Sequence, residues 1–306
     1  MVEVAAAVIE RADGAFLLAQ RPAGKVYAGW WEFPGGKVHG GETAAQALSR
    51  ELHEELGVEV TRAYPWITRV HAYEHATVRL NFFRVVAWRG EPHPRENQAF
   101  VWQRFDSPMA EPMLPANAPV LVSLALPLEY AITDAKTLGV ESSLARIEAR
   151  LERGLRLIQV RDKGLPERER FIQSVAARAH AHGARVLVNG GPALADGIHY
   201  TAAQLATLHE RAPEMLAGAS CHTRAELDCA MRLGMDFAVL GPVGATASHP
   251  DAPSLGWEGF ADIALGASIP VFAIGGLRPK DLHRARTAGA HGLAMIRGAW
   301  QVPQAD

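Results

Sequence analysis

The chain has 306 residues, 48% of them hydrophobic, which is enough to bury two separate cores, so two domains are expected. Its net charge of −2 at pH 7 and sequence pI near 6.7 provide no positive field for phosphate backbones, which argues against DNA or RNA polymers as partners. No apolar stretch reaches membrane-spanning length, the amino terminus lacks a signal-peptide pattern, and Cys221 and Cys229 have neither zinc nor redox spacing, so a cytoplasmic protein without a membrane partner is predicted.

The first predicted elements are two short apolar strands joined by a tight turn. Residues 4–9 and 15–20 are apolar runs, and Ala12-Asp13-Gly14 between them is typical of a hairpin. Two further strand-like runs cover residues 78–88 and 99–105. Together the runs predict a mixed sheet with one principal helix inserted between its strands.

That helix is predicted over residues 44–56 and has an unusually acidic edge. Its apolar stripe, at fourfold spacing, consists of Leu48, Leu52 and Leu56. Glu51, Glu54 and Glu55 stand at i, i+3 and i+4, where like charges repel by about 0.2–0.5 kcal/mol per pair. Only Arg50 can offset them, toward Glu54, whereas an ordinary exposed acidic helix is laced with cations. The fixed edge of carboxylate oxygens therefore favours a site for a hard divalent cation such as Mg²⁺.

Residues 36–58 resemble, position by position, the Nudix box, Gly-x5-Glu-x7-Arg-Glu-φ-x-Glu-Glu-x-Gly-φ, in which φ is apolar. Further segments extend the resemblance, to the MutT-type branch, over nearly all of residues 1–128; they are 19–21, 31–37, 90–92 and 114–120. The resemblance implies an α/β/α sandwich. It also implies a hydrolase of oxidised nucleoside triphosphates that depends on Mg²⁺, with Mn²⁺ as the alternative metal.

The same resemblance implies roles for individual residues. Glu54 and Glu55 would ligate the metal, and Glu51 would orient or deprotonate the attacking water while also touching the metal. Arg50 would hold a box carboxylate with its planar fork. The implied metal ligands are the carbonyl of Gly35 with Glu51, Glu54, Glu55 and Glu96, and the implied catalytic residues are Arg50, Glu51 and Glu54.

Base recognition is predicted at Asn117, in a Pro-Ala-Asn-Ala-Pro loop that matches the MutT-type pattern. Guanine has acceptors at N7 and O6, whereas 8-oxoguanine has a donor at N7, so a carboxamide with one donor and one acceptor fits the oxidised edge. The alternative is that Asn117 only caps a helix beginning near Pro119. Phe82 or Phe83 would sandwich the base unless they belong to the core. The predicted substrate contacts are Arg21, Lys37, Phe82 and Asn117, with a solvated surface position as the alternative for both cations.

A series of prolines between residues 108 and 127 predicts a boundary close to residue 128, giving domains 1–128 and 129–306. Beyond it, short apolar runs alternate with helical patterns, which predicts a compact (β/α)₈ TIM barrel and an α/β fold class for the chain. The predicted strands are 130–133, 157–161, 186–189, 197–200, 216–220, 237–241, 271–275 and 292–296.

The motifs at the ends of these strands resemble the thiamine-phosphate synthase and TenI-like family over essentially the whole segment; they are 159–163, 188–189, 196–199, 222–223, 241–242 and 274–276. Ligands of such barrels bind at the rim where the strands end, and the glycine pair after the seventh strand suits a phosphate held by backbone N–H groups. The predicted ligand-binding residues are Arg161, Lys163, Asn189, His222, Gly275, Gly276 and Arg297.

Departures from the synthase pattern shape the expectation for the barrel. Synthases have Asp after the Asn of the third strand and another acid after the fourth, both serving Mg²⁺ diphosphate, but this chain has Gly190 and residues 200–202 there. Residues 244–249 lack the expected Lys. We expect a pocket for a thiazole or pyrimidine phosphate without efficient thiamine-phosphate synthesis. A TenI-like tautomerase using His222 or His249 and a regulatory ligand module remain open.

The leading function is hydrolysis of 8-oxo-dGTP to the monophosphate and pyrophosphate by the first domain, beside a degenerate synthase-like barrel. One alternative is hydrolysis of a diphosphate from thiamine metabolism, with an active synthase or tautomerase barrel. Another is a nucleotide- or phosphate-sensing module that binds without turnover. The sequence predicts no particular oligomeric state.

Overall fold

The computed structural model describes residues 1–74, 76–95, 98–191, 194–245 and 253–301. The chain divides into two compact units, Met1–Leu126 and Pro127–Asp306. The division falls at the end of the proline-rich stretch that predicts a boundary close to residue 128. Among the described helices, none has the length and apolar character needed to cross a membrane.

The described residues of the first unit form two sheets and two helices. Its strands are β1 (Val2–Ile9), β2 (Phe16–Gln20), β3 (Trp31–Glu32), β4 (Gly35–Lys37), β5 (Glu59–Ala72), β6 (Thr77–Arg89) and β7 (Phe100–Gln103), and its helices are α1 (Ala44–Leu56) and α2 (Ala118–Leu124). One sheet has the order β4-β1-β6-β5, with β1 and β6 parallel, and the other has the order β3-β2-β7. Successive side chains of β1 point to opposite faces, so Ala5 and Ala7 pack with α1 while Ala6 and Val8 pack with α2.

Two expectations for the strands of this unit need correction. The turn at residues 12–14 forms, with Arg11 N–H donating to the Ala15 carbonyl at 2.8 Å, but β1 and β2 enter different sheets instead of forming a simple hairpin. Both strands are buried on both faces, so each can pair within its own layer. The sequence pattern also missed β5. Its register against β6 shifts three times, once beside Pro65, and such irregularities remove the strict apolar alternation that identifies a strand.

Helix α1 forms over the residues that the sequence predicts. Thr43 is its N-cap, and its side chain and that of Gln46 form a capping box. Gly57 ends the helix in the left-handed conformation, at φ +69°. The apolar stripe is buried against β1, with Leu52 and Leu56 fully covered. Because burial fixes the rotation of the helix, its acidic edge points in one defined direction.

The second unit confirms the predicted barrel. Its eight strands are β8 (Glu129–Ile132), β9 (Leu157–Val160), β10 (Arg185–Asn189), β11 (Gly197–Tyr200), β12 (Leu216–Cys221), β13 (Phe237–Leu240), β14 (Val271–Ile274) and β15 (Gly292–Met295). Its helices are α3 (Ala135–Leu138), α4 (Val140–Glu152), α5 (Arg168–Ala181), α6 (Ala202–Thr207), α7 (Arg224–Arg232), α8 (Gly256–Ala264) and α9 (Leu282–Thr287). The strands close in sequence order, and each pairs with its neighbours in parallel. Each predicted strand agrees with the observed one to within about a residue at either end.

Candidate active site and barrel cavity

Arg50 organises the acidic edge of α1. Its Nε and Nη2 donate to the two oxygens of Glu42 at 2.7 and 3.0 Å, and Nη2 also donates to the carbonyl of Lys37 at 3.0 Å. Its Nη1 donates to Glu51 Oε1 at 2.8 Å and to Glu54 Oε2 at 3.1 Å. The Arg50 bonds lower the pKa of Glu42 to about 2, and the carboxylates raise the pKa of Arg50. Arg50 engages one oxygen each of Glu51 and Glu54, which leaves the second oxygen of each for another ligand.

The glycine-rich strand before α1 lies against its acidic face. A Cβ at Gly36 would lie 2.2 Å from Glu51 Cδ, so only glycine leaves room for that carboxylate. Gly35 N–H donates to Glu55 Oε2 at 3.3 Å. The exposed fraction of the side chain is 15% for Glu51 and 53% for Glu54, so the edge passes from a sheltered carboxylate to an open one.

These residues supply the donor chemistry that the metal prediction requires. Glu51 and Glu55 meet the backbone of Gly35 and Gly36, and carboxylate and carbonyl oxygens are the ligands that Mg²⁺ prefers. Across the described ranges, no three His, Cys, Asp or Glu side chains are grouped closely enough to hold a metal by themselves. Glu96, the remaining predicted ligand, lies outside the described residues. The set fits a hard cation that completes its shell with water or phosphate oxygens.

Asn117 occupies the N-cap position of α2, but its side chain makes no capping hydrogen bond. The residue is only 3% exposed. Its backbone carbonyl accepts the Val120 and Leu121 N–H groups at 2.9 and 3.2 Å, so the helix begins without help from the carboxamide. The capping alternative therefore does not account for this side chain.

An aromatic group that the sequence analysis missed adjoins the Asn117 loop. The Tyr73 hydroxyl interacts with the backbone of Ala116, and burial raises the pKa of Tyr73. Its ring lies 5.6 Å from that of Tyr27 and 4.4 Å from that of His71, measured between centroids. Tyr73 follows β5, the strand with the irregular pattern, so no periodicity in the sequence brings it to the Asn117 loop.

The other predicted substrate residues have different surroundings. Arg21 Nη1 donates to both oxygens of Glu32 at 2.7 Å, and desolvation raises the pKa of that carboxyl despite the pairing. Lys37 is exposed, and its backbone carbonyl accepts a hydrogen bond from Arg50. Phe82 is 1% exposed and packs edge-on against Phe33, with 5.9 Å between centroids. The structure favours the core alternative for Phe82, because the residue belongs to the buried cluster that also contains Val8 and Val120.

A cavity of about 500 Å³ lies where the barrel strands end. The predicted residues that line it are Arg161, His222, Gly275, Gly276 and Arg297. Lys163 and Asn189 are not among the lining residues of this cavity, so their role in ligand binding stays a prediction. Ser220 and Arg278 also line the cavity, and sequence reasoning missed both. Ser220 is a small polar residue within an apolar strand and Arg278 lies just past the glycine pair, so only the closed barrel brings them to the other five.

The positions at which synthases have acids are filled differently here. Gly190 has φ +61°, and a Cβ there would lie 3.2 Å from both Lys163 Nζ and Gln204 Oε1. Gln204 belongs to the capping box of Thr201, which begins α6. A glycine, a helix cap and an amide thus take the place of the two acids.

Of the two histidines predicted for tautomerase chemistry, His222 lies within the described residues. His222 Nδ1 lies 3.3 Å from Glu226 Oε2, and the same carboxylate accepts the His222 N–H at 2.5 Å. His222 is therefore held at the rim of the cavity by an acid on α7. His249 lies outside the described residues, together with the rest of 246–252.

A row of buried polar side chains crosses the barrel interior. Asn189 Nδ2 donates to Gln159 Oε1 at 3.0 Å, and Gln159 Nε2 donates to the Tyr130 hydroxyl at 3.1 Å. The Tyr130 oxygen lies 3.2 Å from His199 Nδ1, and His199 Nε2 lies 2.9 Å from Ser220 Oγ. Burial lowers the pKa of His199 to about 3, with a smaller effect from a nearby lysine, and burial raises the pKa of Tyr130. Both rings are therefore neutral at pH 7.

The folds and sites define an α/β protein of two units. The first unit has two sheets and a helix whose acidic edge suits a metal ion, and the second is a TIM barrel with a cavity at its rim. Residues 5–123 match the family model of the NUDIX domain, and residues 129–299 match that of thiamine monophosphate synthase. The chain therefore belongs to the Nudix family through its first unit and to the thiamine monophosphate synthase family through its second.

Individual relatives resemble one unit each. The CTP pyrophosphohydrolase of Escherichia coli is 43% identical over 40% of this chain and 89% of its own length. The 8-oxo-dGTP diphosphatase of Haemophilus influenzae is 38% identical over the same shares, 40% and 89%. The putative thiamine-phosphate synthase 2 of Aquifex aeolicus is 31% identical over 56% of this chain and 97% of its own length.

Proposed function

We propose that the first unit hydrolyses 8-oxo-dGTP in an Mg²⁺-dependent reaction that consumes one water and releases 8-oxo-dGMP and pyrophosphate. The observation that carries the proposal is the buried carboxamide of Asn117, which the start of α2 leaves without a capping bond. The relative from Haemophilus influenzae, an 8-oxo-dGTP diphosphatase, supports the same substrate. The biological role would be to clear oxidised nucleotides before they enter DNA.

The acidic edge provides the groups that this hydrolysis needs. A bound Mg²⁺, held by the Gly35 carbonyl, Glu54 and Glu55, would neutralise the phosphate oxygens and make water a better nucleophile. Glu51 accepts the proton of the attacking water on the oxygen that Arg50 does not engage. Arg50 keeps Glu51 and Glu54 in place, because its fork binds both at once.

Asn117 would read the oxidised base by pairing a donor with an acceptor. In 8-oxoguanine, N7–H donates and O6 accepts, so both ends of the carboxamide are satisfied. In guanine, N7 is an acceptor and meets the amide oxygen, which leaves two buried acceptors facing each other. A site built on such hydrogen bonds discriminates by up to about 10⁴-fold.

A second candidate substrate is CTP, because the CTP pyrophosphohydrolase of Escherichia coli is 43% identical to the first unit. Cytosine also presents an adjacent donor and acceptor, N4–H₂ and N3, which a carboxamide can pair. The geometry of Asn117 therefore fits both bases and excludes neither on hydrogen bonding alone. The two candidates differ in size, since a purine reaches further from the sugar than a pyrimidine.

A substrate panel on the full-length protein in excess Mg²⁺ tests the proposal. It compares kcat/KM for 8-oxo-dGTP, dGTP and CTP, and the proposal expects 8-oxo-dGTP to lead. Asn117→Ala and the isosteric Asn117→Asp should each reduce the preference for 8-oxo-dGTP over dGTP by about tenfold or more. Ser123→Ala, elsewhere on α2, is the matched control. An unchanged preference in both Asn117 variants contradicts the base-reading role, and a larger kcat/KM for CTP favours the second candidate.

For the barrel, we propose a binding site for a small phosphate ester of the thiazole or pyrimidine class, without efficient thiamine-phosphate synthesis. Arg161, Arg278 and Arg297 surround the cavity with positive charge, and the glycine pair exposes backbone there. The positions that serve Mg²⁺ diphosphate in synthases hold Gly190 and a helix cap instead of acids.

Two assays on the full-length protein test this barrel function. Calorimetric titration with inorganic phosphate should show binding that Arg297→Met weakens. Incubation with hydroxymethylpyrimidine diphosphate and thiazole phosphate should yield thiamine phosphate slowly or not at all. Rapid formation of that product would show that the barrel does not need those two acids for synthesis, and it would contradict this proposal.

A further inference from the structure

The last turn of α1 has two carboxylates at the end of the helix that favours them least. Glu54 and Glu55 are followed only by Leu56 before the cap at Gly57. The carbonyl end of a helix bears a partial negative charge, which repels carboxylates and attracts cations. The turn contains no lysine or arginine, and its basic residue is His53. Because helix ends fray, this one gains order from contacts with another part of the chain.

The segment that follows β6 supplies those contacts. Arg95 N–H donates to the Glu55 carbonyl at 3.0 Å, and Arg95 Nη1 donates to the His53 carbonyl at 3.1 Å. Gln98 Nε2 donates to the Glu55 carbonyl at 3.1 Å. The last four carbonyls of a helix lack partners within it, so bonds from elsewhere are needed to satisfy them. The Arg95 guanidinium also brings a positive charge to the negative end of α1.

Gly57 leaves room for this contact. A Cβ at Gly57 would lie 2.4 Å from His93 Cε1 and 2.9 Å from Arg95 Nε, so a side chain there would push both away from the helix end. His93 N–H donates to the Leu56 carbonyl at 3.1 Å, and His93 Nε2 accepts from Arg95 Nε at 3.2 Å. His93 therefore helps to hold the guanidinium against α1. Arg95 is exposed, whereas Gln98 is 6% exposed, which shields its bond from water.

We propose that Arg95 and Gln98 are positioning residues that keep the last turn of α1 in the conformation that a metal ion requires. Gln98 fixes the backbone of Glu55, whose carboxylate is a proposed ligand, and Arg95 stabilises the turn that contains Glu54 and Glu55. Without these bonds, the two carboxylates would become ordered only when Mg²⁺ binds, and the loss of preorganisation lowers the affinity. This role rests on the metal site proposed above, whereas the hydrogen bonds to the helix end do not.

Calorimetric titration of the full-length protein with Mg²⁺, without nucleotide, tests the positioning role. Arg95→Met removes the charge and the side-chain donors, and we expect Mg²⁺ to bind about fivefold more weakly. Arg95→Lys keeps a cation at the helix end and should recover part of the affinity. Arg89→Met is the matched control, because Arg89 is an exposed arginine of β6 that pairs loosely with Glu59, at 3.5 Å. Equal affinity of Arg95→Met and wild type, or an equal loss in Arg89→Met, overturns the proposal.

Hydrogen exchange in the metal-free protein tests the contacts themselves. In Arg95→Met and Gln98→Met, the amides in the last turn of α1 should exchange about threefold faster than in wild type, whereas those in its first turn should not change. Unchanged exchange in the last turn overturns the role of both side chains. Because Arg95 is exposed, Arg95→Met decides the question even where the buried Gln98→Met fails to fold.

The kinetics of nucleotide hydrolysis distinguish positioning from catalysis. In Arg95→Met, the Mg²⁺ concentration for half-maximal rate should rise about fivefold, while kcat at saturating Mg²⁺ stays within about twofold of wild type. A comparable fall in kcat at saturating Mg²⁺ would place Arg95 in the chemical step and overturn the proposal.

The wild-type protein separates this proposal from the proposed function. If it binds Mg²⁺ but does not hydrolyse 8-oxo-dGTP, the proposed reaction fails and the Mg²⁺ titration of Arg95→Met still decides the positioning role. If it binds no Mg²⁺, the proposed metal site and the positioning role both fail. Hydrogen exchange then decides only whether the two side chains order the end of α1.

Discussion

The two units place their polar groups in opposite ways. In the first, charged side chains lie on one edge of α1 and just before it, partly exposed, and Arg50 binds the carboxylates of Glu42, Glu51 and Glu54. In the second, neutral polar side chains from several strands meet inside a closed barrel and are joined by hydrogen bonds, with Asn189 Oδ1 at the end of the row left without a partner among the described residues. Burying an unpaired charge is expensive, whereas a buried neutral row needs only hydrogen bonds. The degree of exposure therefore decides whether a site is built from charged side chains or from neutral side chains joined by hydrogen bonds.

Glu51→Gln should remove most of the nucleotide hydrolysis by the first unit without changing ligand binding by the barrel. It should have the largest effect of the variants. Loss of the proposed base is expected to lower kcat for the nucleotide by about 10²–10⁴-fold. Phosphate binding to the barrel should stay unchanged in the same preparation. Glu59→Gln is the matched control, since its exposed carboxylate pairs only loosely with Arg89, at 3.5 Å. Retention of kcat within a few-fold of wild type contradicts the role of Glu51.

His199→Gln should change how stability depends on pH in the second unit. Below its usual pKa of 6.5, His199 takes up a proton in the unfolded chain, but in the folded barrel it does so only near pH 3. The unfolded state then binds more protons, so stability falls as pH decreases through this window. Between pH 7 and pH 5 the loss from this residue is about 2 kcal/mol.

Urea unfolding of the full-length protein at the two pH values measures this loss. The His199→Gln variant should lose less stability on acidification than wild type. The control is His209→Gln, a substitution at an exposed position that should preserve the wild-type pH dependence. Equal losses in His199→Gln and wild type would show that His199 titrates normally in the fold.

Arg50→Lys tests whether the acidic edge needs only the positive charge of Arg50 or also the geometry of its hydrogen bonds. Lysine keeps the charge but cannot bind Glu42, Glu51 and Glu54 at the same time, so the acidic edge should lose its order. We expect kcat/KM to fall about tenfold and the Mg²⁺ concentration for half-maximal rate to rise. Arg79→Lys, on an exposed pair with 3.9 Å between Nη1 and Glu3 Oε1, is the control. Full activity of Arg50→Lys at low Mg²⁺ would mean that charge alone suffices.

The smallest effects are expected at three helix N-caps of the same type, one in the first unit and two in the second. Thr43, Thr201 and Thr223 form equivalent capping boxes, with Gln46, Gln204 and Glu226 respectively. Replacing any of these threonines with alanine should lower the free energy of unfolding by about 1 kcal/mol. Thr43→Ala should also lower kcat slightly, because α1 holds the catalytic edge. Denaturant unfolding of the three variants gives the comparison, and a much larger loss at one cap would show a role beyond capping.

The sequence alone determined the local features of this protein. The bounds of α1, the acidic edge with Arg50 and the eight barrel strands were all predicted correctly, because each depends on spacing within about 15 residues. At that range the periodicity of a helix or strand fixes which side chains share a face. The capping residues and the glycine end of α1 are local in the same sense.

Only the tertiary structure decided which distant residues meet. It buried Phe82 in the core, joined Tyr73 to the Asn117 loop and brought Ser220 and Arg278 to the barrel cavity. It also aligned five side chains into the hydrogen-bonded row from Asn189 to Ser220. These contacts join strands and loops tens of residues apart, and their geometry depends on the register of sheets and the closure of the barrel. No local pattern of residues encodes that register, because it arises only when all of the strands have paired.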